Sequence, residues 1–431
     1  MKTILVGLNE INFNYIKYYI DKGLLPNFKE FFKTQQPILT ESENKYELLE
    51  PWIQWVTIYT GKSFDEHQVF RLGDIVDKKN LSQIFEEIEN NQNTVGLVSP
   101  FNADNRLNNP AFFVPDPWTK TKVSGSFILK KVYQSVAELV NNNTQSKFNF
   151  TSLIYLAIGF IKYVPFLRWL HYFKTISKIR MPGIKAVILD SLLIDIFIKL
   201  EKNHSPDFSH IFLNSGAHIQ HHYLFNSNGY KGHLQNPNWY CPKGYDPLIN
   251  ILTEYDNMIG RISKSKNTNI LLTTGLNQVP HEHLTYYWRL KNHDDFIRKI
   301  NIKSYRNVLP RMSRDFLINF DSPEEALSSN KILDSYYSCE DEQKFFKIDN
   351  RKNSLFVELI YSDDITEENS IYSKLDGNVI KNIKQYLSFV AIKNGEHNGI
   401  GYLASNFQLN CNSKIKLTEV KNIILESLKK L

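Results

Sequence analysis

Glu47-Leu-Leu-Glu50-Pro51-Trp52-Ile-Gln-Trp55-Val-Thr-Ile-Tyr59-Thr60-Gly61-Lys-Ser-Phe-Asp-Glu-His67 gathers two tryptophans, a proline, a Thr-Gly stop and a histidine into twenty-one residues. It reads as a loop closed by Pro51, a short helix over residues 52–59 and an exit at Thr60-Gly61, because proline suits a helix's first turn and glycine its end. A helix N-terminus presents free N–H groups and a partial positive charge, so a loop running into one is a natural anion site. Trp52 and Trp55 are three apart and share a helix face, which suits packing beneath a sheet or stacking on a sugar.

Outward from this stretch, strands and helices alternate. Residues 3–8 are a short β-rich apolar run, and residues 11–33 read as loop, helix, loop and helix, interrupted by Gly23 and Pro26. Helices near 80–91, 186–202 and 246–264 precede strands at 94–98, 209–213 and 269–273. Later strands at 354–361 and 386–392 precede a last helix near 417–430. Such alternation with short connections predicts an α/β fold, a three-layer α/β/α sandwich whose mostly parallel central sheet is covered on both faces. Ligands of such sheets bind where the strands end.

Residues 122–185 break the alternation and are expected to be an inserted helical lid between core segments 1–121 and 186–431. Within it, residues 150–161 are strongly apolar and are followed by Lys162, Pro165, Arg168, Lys174, Lys178 and Arg180. A bilayer-spanning helix needs about 20 apolar residues, and Lys162 stops this run first. Two uses remain open: a lid packed on its own domain, or an aromatic helix with a basic skirt that makes membrane-surface contact through residues 150–180.

A chain of 431 residues with 42% hydrophobic content can bury a large core. Its net charge of +6 is small and its basic residues are spread out, so no nucleic-acid footprint stands out. Cys241, Cys339 and Cys411 lie far apart without a CxxC spacing, which argues against a disulfide framework or a thiolate metal site and fits a reducing compartment. The opening residues pass directly into a strand, so cytoplasmic residence is expected, at the inner face of the membrane if residues 150–180 bind it.

The chemistry-bearing residues arrive in a distinctive order. Gly7-Leu8-Asn9-Glu10 closes the first strand and Leu25-Pro26-Asn27 follows. Then come Pro51-Trp52-Ile53-Gln54-Trp55, Thr60-Gly61 and His67-Gln68. Pro206-Asp207, a strand and His218-Ile-Gln-His221-His222 follow, then Tyr255-Asp256 with Ile259-Gly260, a strand ending at Thr274, and Gly395-Glu-His397-Asn-Gly-Ile-Gly401. This order resembles the alkaline phosphatase superfamily, in its type I phosphodiesterase/nucleotide pyrophosphatase branch, over most of the chain outside residues 122–185 and roughly 285–350.

The resemblance implies chemistry in which two zinc-like ions polarise an ester, stabilise the leaving oxygen and activate a hydroxyl nucleophile. Carried over by position, the family's first aspartate falls on Asn9, its nucleophile on Glu50 or Pro51, and its late Asp-His pair on Thr274-Gly275, so one metal subsite is missing. The other subsite's histidines fall on His221 or His222 and on His397, while its aspartate falls on Ala217 or His218. Three imidazoles, with His218 or His222 as the third, can hold one Zn²⁺ or another divalent ion. His218 and His222 share a face if their segment is helical. His281 and His283 stand by as substitutes.

Glu10 and Glu50 flank the expected pocket, where paired carboxylates divide acid and base duties if their environments separate their pKa values; Glu50 can equally stabilise its own helix. Asn9 either hydrogen-bonds an ester oxygen or caps the next helix. Asn102, Asp104, Asn105 and Arg106 lie in the loop after a strand end, where substrate contacts are expected and an arginine suits phosphate or sulfate. The function expected is a hydrolase or transferase acting on a phosphate or sulfate ester, of a glycan, a nucleotide or a lipid-linked intermediate of surface-polysaccharide metabolism, with a reduced metal site. The competing expectation is a catalytically inactive relative that binds a phospho-ligand or glycan, or serves as a scaffold.

Overall fold

The structure is a computed structural model, and it describes residues 2–141, 150–265, 267–311 and 314–429. Strands β1 (Lys2–Leu8), β2 (Ile38–Glu41), β3 (Val95–Val98), β4 (Phe112–Val114), β5 (Phe208–Leu213), β6 (Thr268–Thr273), β7 (Ile400–Ser405) and β8 (Lys414–Lys416) form one eight-stranded sheet in the order β8-β2-β7-β6-β1-β5-β3-β4. Only β7 runs against its neighbours; the other pairings are parallel. This is the expected α/β class with a mostly parallel sheet.

The β1 run is buried on both faces, as an apolar central strand of a parallel sheet must be. Ile4, Val6 and Leu8 pack on one side with helices Phe13–Asp21, Ile184–His204 and Pro247–Ile262. Leu5 faces the other side, with helices Pro51–Thr60, Ile84–Asn90 and Val420–Leu428. Two helical layers thus enclose the sheet.

Pro51–Thr60 forms as the sequence predicts, with proline in its first turn and Gly61 past its end at φ 69°. Trp55 is wholly buried, and its ring occupies the space where a Cβ on Gly7 would stand, 2.5 Å away. That close approach explains the glycine in β1 and assigns Trp55 to packing under the sheet. Trp52 is partly buried and donates its indole N–H to Phe70 O at 3.0 Å.

Register brings the site together. Leu8 pairs with Leu213 and Gly7 with Thr273, so β1, β5 and β6 end level with one another. The backbone N–H of Asn9 then donates to Leu213 O at 3.0 Å and that of Glu10 to Thr274 O at 3.1 Å.

The described chain clusters into two units: Met1–His233, Pro237–Pro280 and Gly395–Leu431 form the first, and Leu234–Asn236 with His281–Asn394 form the second. The segment 122–185 clusters with the first unit. Its described helices are Phe127–Asn141, Phe150–Tyr163 and Trp169–Ile176, and its residues 142–149 lie outside the described residues. Residues 281–394, which the sequence groups with the core, contain a four-stranded antiparallel sheet ordered Phe346–Asn350, Ser354–Leu359, Asp315–Asn319, Asn307–Pro310. Residue 430 of the expected last helix also lies outside the described residues.

Candidate metal centre

Glu10 follows β1 immediately, and its backbone takes a left-handed conformation at φ 58°. For a residue with a side chain this costs on the order of 1 kcal/mol and must be held by its surroundings. The Glu10 N–H bond to Thr274 O does so, together with two bonds accepted by its carbonyl, from Gln220 Nε2 at 2.8 Å and the Gln278 N–H at 3.1 Å. The carboxylate is thereby turned into the protein, where the residue is 2% exposed.

Two imidazoles meet it there. His221, on helix Ser215–Tyr223 after β5, places Nε2 2.9 Å from Glu10 Oε2. His397, near the end of strand Leu387–Asn398, places Nε2 3.1 Å from the same oxygen. The two Nε2 atoms are 3.3 Å apart. Gly395 makes this approach possible, since a Cβ there would stand 2.2 Å from Gln278 Oε1 and 2.9 Å from Gln220 O.

Each imidazole is oriented from behind. His221 Nδ1 lies 3.3 Å from Gly395 O, and His397 Nδ1 lies 3.7 Å from Glu50 Oε2. Glu10 receives the Asn9 amide N–H on Oε1 at 2.9 Å and the Gln278 amide N–H on Oε2 at 2.5 Å. Burial alone would raise the Glu10 pKa, but His397 and His221 outweigh it and hold the carboxyl well below its ordinary value. For Glu50 burial prevails over His397, and with Glu10 nearby its carboxyl is pushed up to about 7.

One glutamate and two histidines whose donor atoms all lie within 4.8 Å of one another form a group able to hold a metal ion. Spacings of 2.9, 3.1 and 3.3 Å suit tetrahedral zinc, whose donors at ~2.0–2.1 Å stand roughly 3.3 Å apart. His₂Glu is a catalytic zinc set that leaves a fourth position open. A carbonyl behind one imidazole and a carboxylate behind the other are the usual outer partners of metal-bound histidine. The donor set therefore fits one divalent cation.

The third member of this candidate group is Glu10, where the sequence offers His218 or His222. His218 and His222 lie one turn apart on their helix with ring centroids 4.8 Å from each other, and His218 is exposed. His221 has its ring 6.1 Å from that of His222 and directs Nε2 to Glu10. His281 and His283 belong to the second unit, with ring centroids 6.0 Å apart and His281 Nε2 3.2 Å from Thr285 Oγ1.

Asn9 does not cap the following helix; Asn12 does, accepting the Asn14 N–H at 3.0 Å. Asn9 instead accepts the Trp55 indole N–H at 2.8 Å and donates to Glu10 and, at 2.7 Å, to Asn214. Glu50 makes no side-chain cap on its own helix. The Ile53 and Gln54 N–H groups donate to the Glu50 carbonyl, and Pro51 has none, so little of the expected anion-binding helix end is left.

The loop residues serve as braces. Arg106 donates to Asp104 Oδ2 at 2.8 Å and to the carbonyls of Leu81 and Ile75, both at 2.7 Å. Asp104 also binds Lys79 and Thr121. Asn102, wholly buried, accepts the Gly73 N–H at 2.8 Å and donates to Trp52 O at 2.9 Å, while the Asn105 amide donates to Lys122 O at 2.6 Å. At the missing subsite, Thr274 Oγ1 accepts the Tyr402 N–H at 2.9 Å.

Gln278, Gln220 and Asn214 escaped the sequence reading. Asn214 lies just beyond the end of β5, Gln278 lies at the start of the strand Asn277–Leu290 that follows β6, and Gln220 lies inside the histidine-rich segment. Polar residues at strand exits were the available signal.

No family model matches the sequence, and no curated protein matches it. Solved structures with similar architecture include phosphonoacetate hydrolase from Sinorhizobium meliloti 1021, with a TM-score of 0.48 at 11% identity over 100% of this chain and 96% of that one. Human ectonucleotide pyrophosphatase/phosphodiesterase 5 gives 0.43 at 10% identity over 99% and 95%. An alkaline phosphatase from the Antarctic bacterium TAB5 gives 0.39 at 11% identity over 99% and 97%.

Proposed function

We propose that this chain is a metal-dependent hydrolase of the alkaline phosphatase superfamily that cleaves phosphate esters at a single-metal centre built from Glu10, His221 and His397. The observation that carries the reading is the convergence of these three side chains beside the level ends of β1, β5 and β6. The order of motifs along the sequence supports it.

A divalent cation at such a site supplies Lewis acidity toward an ester oxygen and toward water. The chain's own residues set the geometry. Gly395 O stands 3.3 Å from Nδ1 of His221 and Glu50 Oε2 3.7 Å from Nδ1 of His397, so both rings turn Nε2 to Glu10 and Nδ1 away from it. The Asn9 and Gln278 amides hold the Glu10 carboxylate in place.

Helix Pro51–Thr60 offers no free nucleophile. Thr57 Oγ1 donates to Ile53 O at 3.3 Å and Thr60 Oγ1 to Val56 O at 2.7 Å, while position 50–51 has no hydroxyl. The reaction proposed is direct attack of water oxygen on phosphorus. The P–O ester bond breaks, the attacking water gives up a proton while the leaving alcohol oxygen takes one up, and no covalent enzyme intermediate forms.

The test is to load the protein with zinc, remove excess, measure bound metal, and assay p-nitrophenyl phosphate and bis(p-nitrophenyl) phosphate. About one equivalent of metal with turnover is expected. His221→Ala and His397→Ala should abolish both, and Glu10→Gln should weaken zinc binding by roughly 10-fold or more. A folded protein that neither binds metal nor turns over an ester panel would overturn the proposal. The vacant nucleophile position favours one competing reading, a phospho-ligand-binding protein; metal and ligand binding without turnover would establish it.

A further inference from the structure

We propose that the helical insert is a membrane anchor: residues 150–185 set an apolar face rimmed by lysine and arginine into the surface of a bilayer rich in anionic phospholipid.

The first observation is an inverted helix. On Phe150–Tyr163 the exposed positions are Phe150, Thr151, Leu153, Ile154, Ala157, Ile158, Ile161 and Lys162, and the six apolar ones recur at helical spacing. The buried positions are Ser152, Gly159 and Tyr163. Gly159 lets the helix approach Phe127–Asn141, since a Cβ there would stand 2.4 Å from Val132. A helix of a water-surrounded protein turns these faces the other way. Past Pro165 the stripe continues through Phe166, 76% exposed, and Leu167, 92% exposed, to Leu170, Phe173 and Ile176.

The orientation is locked from beneath by charge. Arg168 donates to Asp195 and Glu254, both at 2.9 Å; His171 Nε2 lies 2.9 Å from Glu254; Tyr172 donates to Asp195 at 2.8 Å; and Arg261 lies 2.6 Å from Asp195. Rotating helix Trp169–Ile176 to hide Leu170 and Phe173 would tear this cluster apart. The apolar face therefore stays outward.

Charge selects the occupant. Lys162, Lys174, Lys178, Arg180 and Lys185 are exposed around the face, and residues 150–185 contain no aspartate or glutamate. A second copy docked here about a two-fold axis would set one basic rim against another. Anionic headgroups instead complement the rim while acyl chains receive the leucine and phenylalanine side chains.

Among the described residues no single helix is long and apolar enough to cross a membrane, and Phe150–Tyr163 and Phe166–Ile176 are bent by 113°. The first, at 14 residues, reaches about 21 Å against a hydrocarbon core of about 30 Å. The geometry is that of a hairpin seated in one leaflet.

The experiment is flotation of the full chain with phosphatidylcholine vesicles containing about 30% phosphatidylglycerol, and with phosphatidylcholine alone. Binding to the anionic vesicles, weakened by salt, is expected. Each of Leu167→Ser, Leu170→Ser and Phe173→Ser should lower partitioning roughly 10-fold, and each of Lys174→Gln and Lys178→Gln roughly 5-fold. Unchanged thermal unfolding and bound metal would show these variants to be folded. The proposal falls if the wild type stays off anionic vesicles, if folded serine variants float like it, or if the face makes a dimer that Leu170→Ser dissolves.

Discussion

Asn9 donates its amide N–H to Glu10 and accepts the Trp55 indole N–H, so one neutral side chain joins the packed layer beneath the sheet to the Glu10 carboxylate. An aspartate here would accept the indole N–H equally well but would set a second carboxylate against Glu10. Asn9→Asp should therefore lower stability in chelator by about 2–3 kcal/mol, from a lost charge-assisted bond and like-charge repulsion. Zinc should recover most of that loss, as a cation neutralises the pair. Chemical denaturation with and without zinc measures this, and an equal loss in both conditions would count against a cation beside Glu10.

At the scale of elements, the hairpin of residues 150–176 is held to helices Ile184–His204 and Pro247–Ile262 through Asp195 and Glu254. Asp195 is completely buried and faces two arginines. Its removal leaves both cations underpaired in a dry site, which typically costs about 3–5 kcal/mol. Asp195→Ala should lose stability in that range, and Asp195→Asn less. Limited proteolysis should then cut within residues 150–180 first, because the apolar hairpin loses its tether while the central sheet keeps its own. Wild-type protection of the hairpin in Asp195→Ala would show that apolar packing alone holds it.

For the whole molecule, several buried groups make acid destabilising. His210 lies between Tyr59 OH at 2.9 Å and Leu5 O at 3.0 Å, and burial lowers its pKa to about 4. Burial does the same to His67. Between pH 6.5 and 4 the unfolded chain therefore binds more protons at these two sites than the folded chain, so stability falls as pH falls, by ~3 kcal/mol for each. Burial would raise Glu254, but His171 and Arg168 outweigh it and lower it to about 2 from 4.5. Its contribution is full above pH 4.5 and is lost between there and pH 2. Urea denaturation should show stability declining below pH 6.5, with a shallower slope in His210→Gln; parallel profiles for the two proteins would contradict a buried neutral imidazole.

The sequence alone determined the sheet and much of its address list. Apolar runs at 3–8, 209–213 and 269–273 between amphipathic helices force a parallel sheet, and proline and glycine fix the ends of helix Pro51–Thr60, because these are local effects of periodicity and backbone freedom. His221 and His397 were named from their place in the order of motifs, and the fold brings both to Glu10. Tertiary structure decided which neighbours joined them. Strand register brought Glu10, and not His218 or His222, to the two histidines as the third member of the candidate group, since a left-handed backbone at one residue and a single helical turn decide which way a side chain points, and neither is written in residue order. It also drew Asn102, Asp104 and Arg106 into loop bracing. For residues 150–176 composition left both uses open; only the buried charges beneath the hairpin fixed its apolar face outward.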